Sequence, residues 1–168
     1  MTRRGFIAGS LLVGFAMLPT VIALGSSGPI ITSTVKATSK APAQHCVVHE
    51  PATLNALKRG TKYVVVVVKS FQPAKPPVAG LVVWLLSADK TQRHEITRFA
   101  VHPMRAFTAQ EPARQQRFLV SLAEQATLIK HGQSLCIEVG FDPSSQILED
   151  GTAEIEIEVI NVIDTHGK

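Results

Sequence analysis

The sequence predicts a mainly β domain, a β-sandwich of jelly-roll-like form with about six or seven strands and one short helix. Three features support this fold class: apolar runs rich in β-branched residues, later segments in which apolar and polar residues alternate, and turn residues between them. Aromatic residues make up only 5% of a chain that is 45% hydrophobic, so we expect a core of Val, Ile, Leu and Ala.

The first predicted elements include the most apolar part of the domain. Residues 52–58 are expected to form a short helix or turn that Gly60 closes. A strand over 63–69 contains five consecutive valines, and the next strand, over 80–87, is also nearly all apolar. Because the valine run does not alternate with polar residues, its strand is expected to be covered on both faces.

Four more strands are predicted after these, most of them with a period of two. They cover 95–101, 116–120, 135–141 and 154–163. Pro103 is expected to end the first of them, because proline cannot donate to a β-ladder. In the last strand the polar positions form a row of like charges. Such a row suits a solvated sheet face or an edge strand that discourages pairing with other chains. The residues of this row are Glu154, Glu156 and Glu158.

One helix is predicted late in the domain. Ser121, with Glu124 three residues later, matches a capping box, in which each side chain hydrogen-bonds a backbone N–H at the start of a helix. We expect this helix to run to about His131, with Gly132 as its left-handed stop.

The N-terminus matches a twin-arginine export signal over residues 1–25. Arg3 and Arg4 are followed by one spacer and then Phe6, and the apolar stretch that follows ends in small residues that fit cleavage after Gly25. A permanent membrane anchor is the alternative, because the stretch is close to the length that spans a bilayer. The remaining chain is expected to be periplasmic or secreted, with no stable membrane insertion once the signal is removed.

Two further segments follow the signal. Residues 26–43 are rich in Ser, Thr, Pro and Ala, a composition that buries little surface and predicts a flexible linker. The β-sandwich domain is therefore expected over 44–165.

Two classes of function find little support in the sequence. The formal net charge is +4 and the basic residues are scattered, which argues against a nucleic-acid partner. The chain has no nucleophile elbow, zinc-protease helix motif or phosphate-binding glycine loop, so we predict no catalytic residues. A catalytic site assembled from distant residues is the alternative.

The two cysteines are Cys46 and Cys136. Outside a reducing compartment an even count favours one disulfide, which would tie the start of the domain to a late strand. Metal binding and two unpaired buried thiols are the alternatives.

The best metal candidates are His45, Cys46 and His49, because thiolate and imidazole suit copper or zinc. In a strand His45 and His49 would face the same side, with Cys46 opposite. His102 is a further candidate. The alternative interpretation is a strand start with exposed histidines, since a specific site normally needs three or four ligands. We therefore predict no resident cofactor, with copper as the metal that these side chains would favour.

Within the stretch 63–160, several segments follow one another in a recognisable order: 79–80 before an apolar strand, 98–103, 117–122, the short helix to Gly132, and the strand over 135–141. In these segments and their order the stretch resembles the C-terminal β-domain that follows the copper domain in tyrosinases and polyphenol oxidases. This resemblance implies a jelly-roll-like sandwich with no catalytic centre, which in that family covers the copper site of the oxidase domain. The copper-ligand histidines lie in that oxidase domain and have no match here.

These observations predict an exported accessory or binding domain without catalysis, which docks on a partner protein. A tyrosinase-type copper oxidase is the partner that the resemblance implies, since some secreted bacterial tyrosinases travel with a small helper that carries the twin-arginine signal. The alternative is a small periplasmic protein that binds copper or zinc.

Overall fold

A computed structural model of the chain describes residues 33–77, 80–130, 132–142 and 149–161. The predicted export signal, with Arg3, Arg4 and Phe6, lies outside these residues. The elements are β1 Thr34–Thr38, β2 Ala43–Val48, α1 Pro51–Lys58, β3 Lys62–Gln72, β4 Gly80–Leu86, β5 Arg93–Ala100, β6 Gln116–Val120, β7 Ser134–Phe141 and β8 Thr152–Asn161, with short 3-10 helices at Pro112–Arg114 and Ala123–Leu128.

The strands form two four-stranded antiparallel sheets. The strand order is β1-β8-β3-β6 in the first sheet and β2-β7-β4-β5 in the second. The pairs β1/β8, β2/β7, β3/β6 and β4/β5 describe one long hairpin that is rolled up into a sandwich, which is the winding of an eight-stranded jelly roll. The predicted fold class is therefore confirmed, and β1 and β2 complete the set of eight strands in the described residues.

The valine-rich strand β3 is covered on both faces, as predicted. Alternate valines point into the core between the sheets, while Val65 and Val67 point the other way and are still only 2% exposed. The outward pair is covered by charged side chains of the neighbouring strands. Arg117 on β6 reaches over β3 to Glu158 on β8, and Lys69 pairs with Glu156 at 3.1 Å between Nζ and Oε2.

The row of glutamates on β8 lies in the middle of a sheet. Strand β8 pairs with β1 on one side and with β3 on the other, so the edge-strand interpretation of this row is wrong. The charges are tolerated there because Lys69 on β3 pairs with Glu156, and Arg117 on β6 reaches across β3 to pair with Glu158.

The folded domain begins earlier than the composition predicted. Strand β1 lies inside the segment 26–43 that was expected to be a linker, and β2 begins at Ala43. Threonine and valine favour strands, and the inward Ala37 of β1 is fully buried against the core. The small and polar residues of this segment therefore did not indicate β1, because an edge strand needs only one apolar face.

The two helix predictions had different outcomes. Helix α1 confirms the prediction for 52–58, and Gly60 follows it with a φ of 70°. The predicted capping-box helix is wrong, because Ala123–Leu128 is a 3-10 segment. The Ser121 hydroxyl accepts a hydrogen bond from the N–H of Ala123 at 3.3 Å, which is a local turn rather than a cap. Among the described residues no helix has the length and apolar character that crossing a membrane requires.

The sandwich is closed by aromatic rings along one long edge and at one end. Phe99 of β5 stacks on Phe118 of β6, with ring centroids 3.8 Å apart, and joins the edge strands of the two sheets. At the end of β3 that is far from α1, Phe71 packs on Phe107 and Phe141. The opposite end is covered by α1, whose Leu54 and Leu57 enter the core.

A disulfide joins Cys46 of β2 to Cys136 of β7, which confirms the predicted pairing. The two residues are direct neighbours in the β2/β7 register, with Cα atoms 4.0 Å apart. Because 90 residues separate them, the bond links the two ends of most of the folded chain. It therefore restricts the unfolded state over nearly the whole domain.

Replacing both cysteines by alanine is expected to lower the free energy of unfolding by about 4 kcal/mol, from the loop entropy that the crosslink removes in the unfolded chain. Urea unfolding of the wild type and of Cys46→Ala/Cys136→Ala measures this difference. The wild type unfolded in the presence of a reductant is the matched control, and it should behave like the variant. Equal stability with and without reductant would contradict the expectation.

Candidate functional site

A cavity of about 480 Å³ opens between the two sheets, on the long edge that the aromatic stack does not close. This volume lies within the range of roughly 300–1,000 Å³ that is typical of ligand pockets. Its lining comes from both sheets and from the start of α1. The lining residues are His45, Val47, Val48, His49, Glu50, Thr53, Lys62, Val64, Leu135, Ile137, Ile157, Glu158 and Val159.

The cavity exists because β1 covers only part of β8. The β1/β8 register ends at the pair Thr34 and Glu156, whereas β8 continues to Asn161. Over the described residues, no strand pairs with the last part of β8 on the β1 side. Strand β2 belongs to the other sheet, so the space between β2 and this part of β8 stays open.

The floor of the cavity is apolar. Its deepest residues are inward-facing side chains of β3, β7 and β8, and they belong to the hydrophobic core. Val47 and Val159 form the more accessible walls. An apolar floor with a few polar groups at the mouth is the usual composition of a binding site for a small organic molecule. The floor residues are Val64, Leu135, Ile137 and Ile157.

His45 lies at the mouth and is held from β1. Its Nδ1 is 2.5 Å from the hydroxyl oxygen of Ser33, the residue that precedes β1. Burial lowers the pKa of His45, which favours the neutral ring. A neutral imidazole can accept a hydrogen bond from the hydroxyl at Nδ1, and its other nitrogen, Nε2, then remains available as a donor.

His49 follows the end of β2 and lines the same cavity. Burial lowers the pKa of His49, and the neighbouring His45 and Lys62 lower it further. Lys62 lies at the start of β3, and its Nζ donates a hydrogen bond to the hydroxyl of Thr53 at 3.4 Å. Of these two neighbours Lys62 carries the positive charge, which gives this part of the mouth a positive character.

The two carboxylates of the lining lie at its rim. Glu158 is paired with Arg117 across the outer face of the sheet, so its charge is already neutralised. Glu50 is exposed and precedes α1. Neither carboxylate contributes to the lowered pKa of His49.

The predicted metal ligands do not come together. The sulfur of Cys46 is in the disulfide, so its assignment as a metal ligand is wrong. His102 follows β5, which is the other edge strand of the sheet from β2, and its N–H donates to the side-chain oxygen of Gln116 at 3.0 Å. Across the ranges that the structure describes, no group of three or more His, Cys, Asp or Glu side chains could hold a metal ion.

His45 and His49 nevertheless share one cavity, in agreement with the prediction that they face the same side of a strand. Sequence reasoning missed Ser33 and Lys62, since their approach to the histidines depends on how β1 and β3 are placed. The alternation of His45, Val47 and His49 along β2 was the available signal, because it marks one mixed polar and apolar face.

No protein-family model, curated protein or solved structure matches this chain. The resemblance to the C-terminal domain of tyrosinases therefore stays a prediction.

The two histidines are expected to make stability depend on pH. Their pKa values in the folded state are lowered from the ordinary value of 6.5, so the folded state resists protonation while the unfolded chain accepts it. The stability is complete above pH 6.5, falls as the pH drops below 6.5, and levels off below the folded-state pKa values.

Urea unfolding at about pH 7.5 and about pH 5.5 tests this dependence. The His45→Gln/His49→Gln variant should lose less stability between these two pH values than the wild type. His102→Gln, a change at an exposed histidine outside the cavity, is the control and should keep the wild-type loss. An identical loss in the wild type and the double variant would show that these histidines are not responsible.

Proposed function

We propose that the chain is an exported binding domain with no reaction of its own, and that the cavity between β2 and β8 is its binding site. The observation that carries this proposal is the cavity itself, with its volume of about 480 Å³, its apolar floor and the few polar groups at its mouth.

Export is supported by two independent features. The N-terminal pattern with Arg3, Arg4 and Phe6 is typical of twin-arginine signals. The Cys46–Cys136 disulfide is typical of proteins that work in an oxidising compartment. Together the two features support a periplasmic or secreted location.

The accessory role concerns a protein partner. We expect a domain that binds a ligand without catalysing a reaction to assist another protein. A tyrosinase-type copper oxidase is the candidate that the sequence resemblance implies. Val48, at the rim of the cavity, is 69% exposed and offers such a partner an apolar contact beside the bound ligand.

The arrangement of Ser33 and His45 favours binding over catalysis. A hydroxyl beside an imidazole is the start of a nucleophile and base pair, but such a base is normally oriented by a third group. Among the described residues, Ser33 is the hydrogen-bond partner of His45, and a carboxylate partner is not found there. The hydrogen bond ties the start of β1 to β2 and positions the ring.

Filling the cavity tests the binding role. Full-length protein from an exporting host is expected to retain a bound molecule or a protein partner, detected by native mass spectrometry and by co-expression pull-down. Val47→Phe places a ring in the cavity and should abolish this retention, because Val47 lines the wall. Gln44→Phe, on the same strand but pointing outward, should leave it unchanged. If all three proteins retain the same molecules, or none retains any, the proposal is wrong.

A second experiment addresses the absence of catalysis. A fluorophosphonate probe, which labels activated serine nucleophiles, is expected to leave Ser33 unmodified, because no described residue orients His45 as a base. Mass spectrometry of the probed full-length chain, with Ser33→Ala as the control, detects labelling. Stoichiometric modification of Ser33 would favour an acyl-transfer enzyme instead.

A further inference from the structure

The cavity has two chemically distinct parts. Its depth is formed by four buried aliphatic side chains of β3, β7 and β8, while its mouth holds three nitrogen-bearing side chains. These three come from two different elements, since His45 and His49 belong to β2 and its end, and Lys62 begins β3. A molecule that fills the cavity must match an apolar interior and a basic entrance at the same time.

The charges around the mouth favour an anion. Lys62 is a cation, and both histidines can become cations. Of the two lining carboxylates, Glu158 is held by Arg117 on the outer face of the sheet, and Glu50 is exposed at the rim. An anionic group at the mouth would therefore meet the donors of Lys62 and the two histidines, while Glu50 is the lining carboxylate that opposes it.

We propose that the cavity binds a small amphipathic carboxylate, with its carboxylate group at His45, His49 and Lys62 and its apolar part against Leu135, Ile137 and Ile157. This inference rests on the proposed function and names the chemical class of its ligand. Both histidine rings supply N–H donors, and Lys62 supplies a charge, so the carboxylate gains charge-assisted hydrogen bonds in a partly desolvated place. The apolar part gains burial of its hydrocarbon surface.

The histidines couple this binding to protons. Without a ligand, burial lowers the pKa of both rings, and the neighbouring His45 and Lys62 lower the pKa of His49 further, which favours the neutral rings. A bound carboxylate favours the charged ring and reverses this effect. Binding should therefore take up protons and become tighter as the pH falls from about 8 to about 6. Glu50, Lys62 and the Glu158–Arg117 pair are the other charged groups that face the site.

Two other occupants compete with this ligand. The uncovered part of β8, which ends at Asn161, could accept an extended peptide as an additional strand. The segment of the chain before Ser33 could occupy the same place. The convergence of three nitrogen groups on an apolar interior favours the carboxylate, since strand addition recognises backbone groups and would leave these side chains without a charged partner.

Isothermal titration of the full-length protein with decanoate, and with decan-1-ol as the uncharged match, tests the proposal. Decanoate is expected to bind one per chain, at least about tenfold more tightly than the alcohol, since charge-assisted contacts exceed neutral ones. His45→Gln/His49→Gln and Lys62→Gln should each weaken decanoate binding by about tenfold or more and leave the alcohol unaffected. His102→Gln is the control variant and should match the wild type.

The proton uptake is measured separately, by titrating decanoate in two buffers of different ionisation enthalpy. The wild type should take up protons on binding at about pH 7, and His45→Gln/His49→Gln should not. Circular dichroism and thermal unfolding identify any variant that fails to fold. The Lys62→Gln result then decides, because this change at the partly exposed start of β3 leaves the core intact.

Four results would overturn the proposal. Equal affinity for decanoate and decan-1-ol, or unchanged decanoate affinity in the histidine and lysine variants, would show that the mouth does not recognise a carboxylate. No decanoate binding, together with retention of another molecule that Val47→Phe abolishes, would reject the ligand class but leave the binding function standing. Decanoate binding by Ile31→Asp but not by the wild type would identify the chain's own segment before Ser33 as the occupant.

Discussion

The burial of β3 on both faces is the constraint on which the remaining structure depends. Its five consecutive valines must be removed from water, yet alternate side chains of a strand point to opposite faces. The second sheet covers the inward valines, and the ion pairs of β6 and β8 cover the outward ones. Strand β3 therefore lies between β6 and β8, and the charged row of β8 acquires a structural role as a cover.

The two long edges of the sandwich are closed in different ways, and this difference produces the cavity. On one edge Phe99 and Phe118 meet and fill the gap between the sheets. On the other edge β1 covers only the first half of β8, and the small side chains at its inward positions fill little space. Because the rest of the core is closely packed, the gap beside the uncovered part of β8 forms a defined cavity next to β2.

The disulfide has a local consequence beside this space. Cys46 lies between His45 and Val47 in the sequence, and its bond to Cys136 fixes an edge strand that would otherwise be held by hydrogen bonds on one side only. The bond points to the outer face, so the inward neighbours on either side are held over the cavity. The sulfur that could have been a metal ligand instead helps to position His45 and Val47 beside the cavity.

The sequence by itself determined six of the eight strands in the described residues, because their signals are local. The valine run, the strand at 116–120 and the alternation after Leu135 were each placed within a few residues, and the disulfide partners follow from the number of cysteines. Only the tertiary structure decided what depends on distant partners. The strand β1 is visible only once β8 pairs with it, and the supposed capping-box helix gave way to a 3-10 turn. The cavity lies in the gap between the two sheets. Ser33, just before β1, hydrogen-bonds His45 there, and Lys62 lines the same cavity from β3. Local sequence patterns contain no information about such an approach of distant residues.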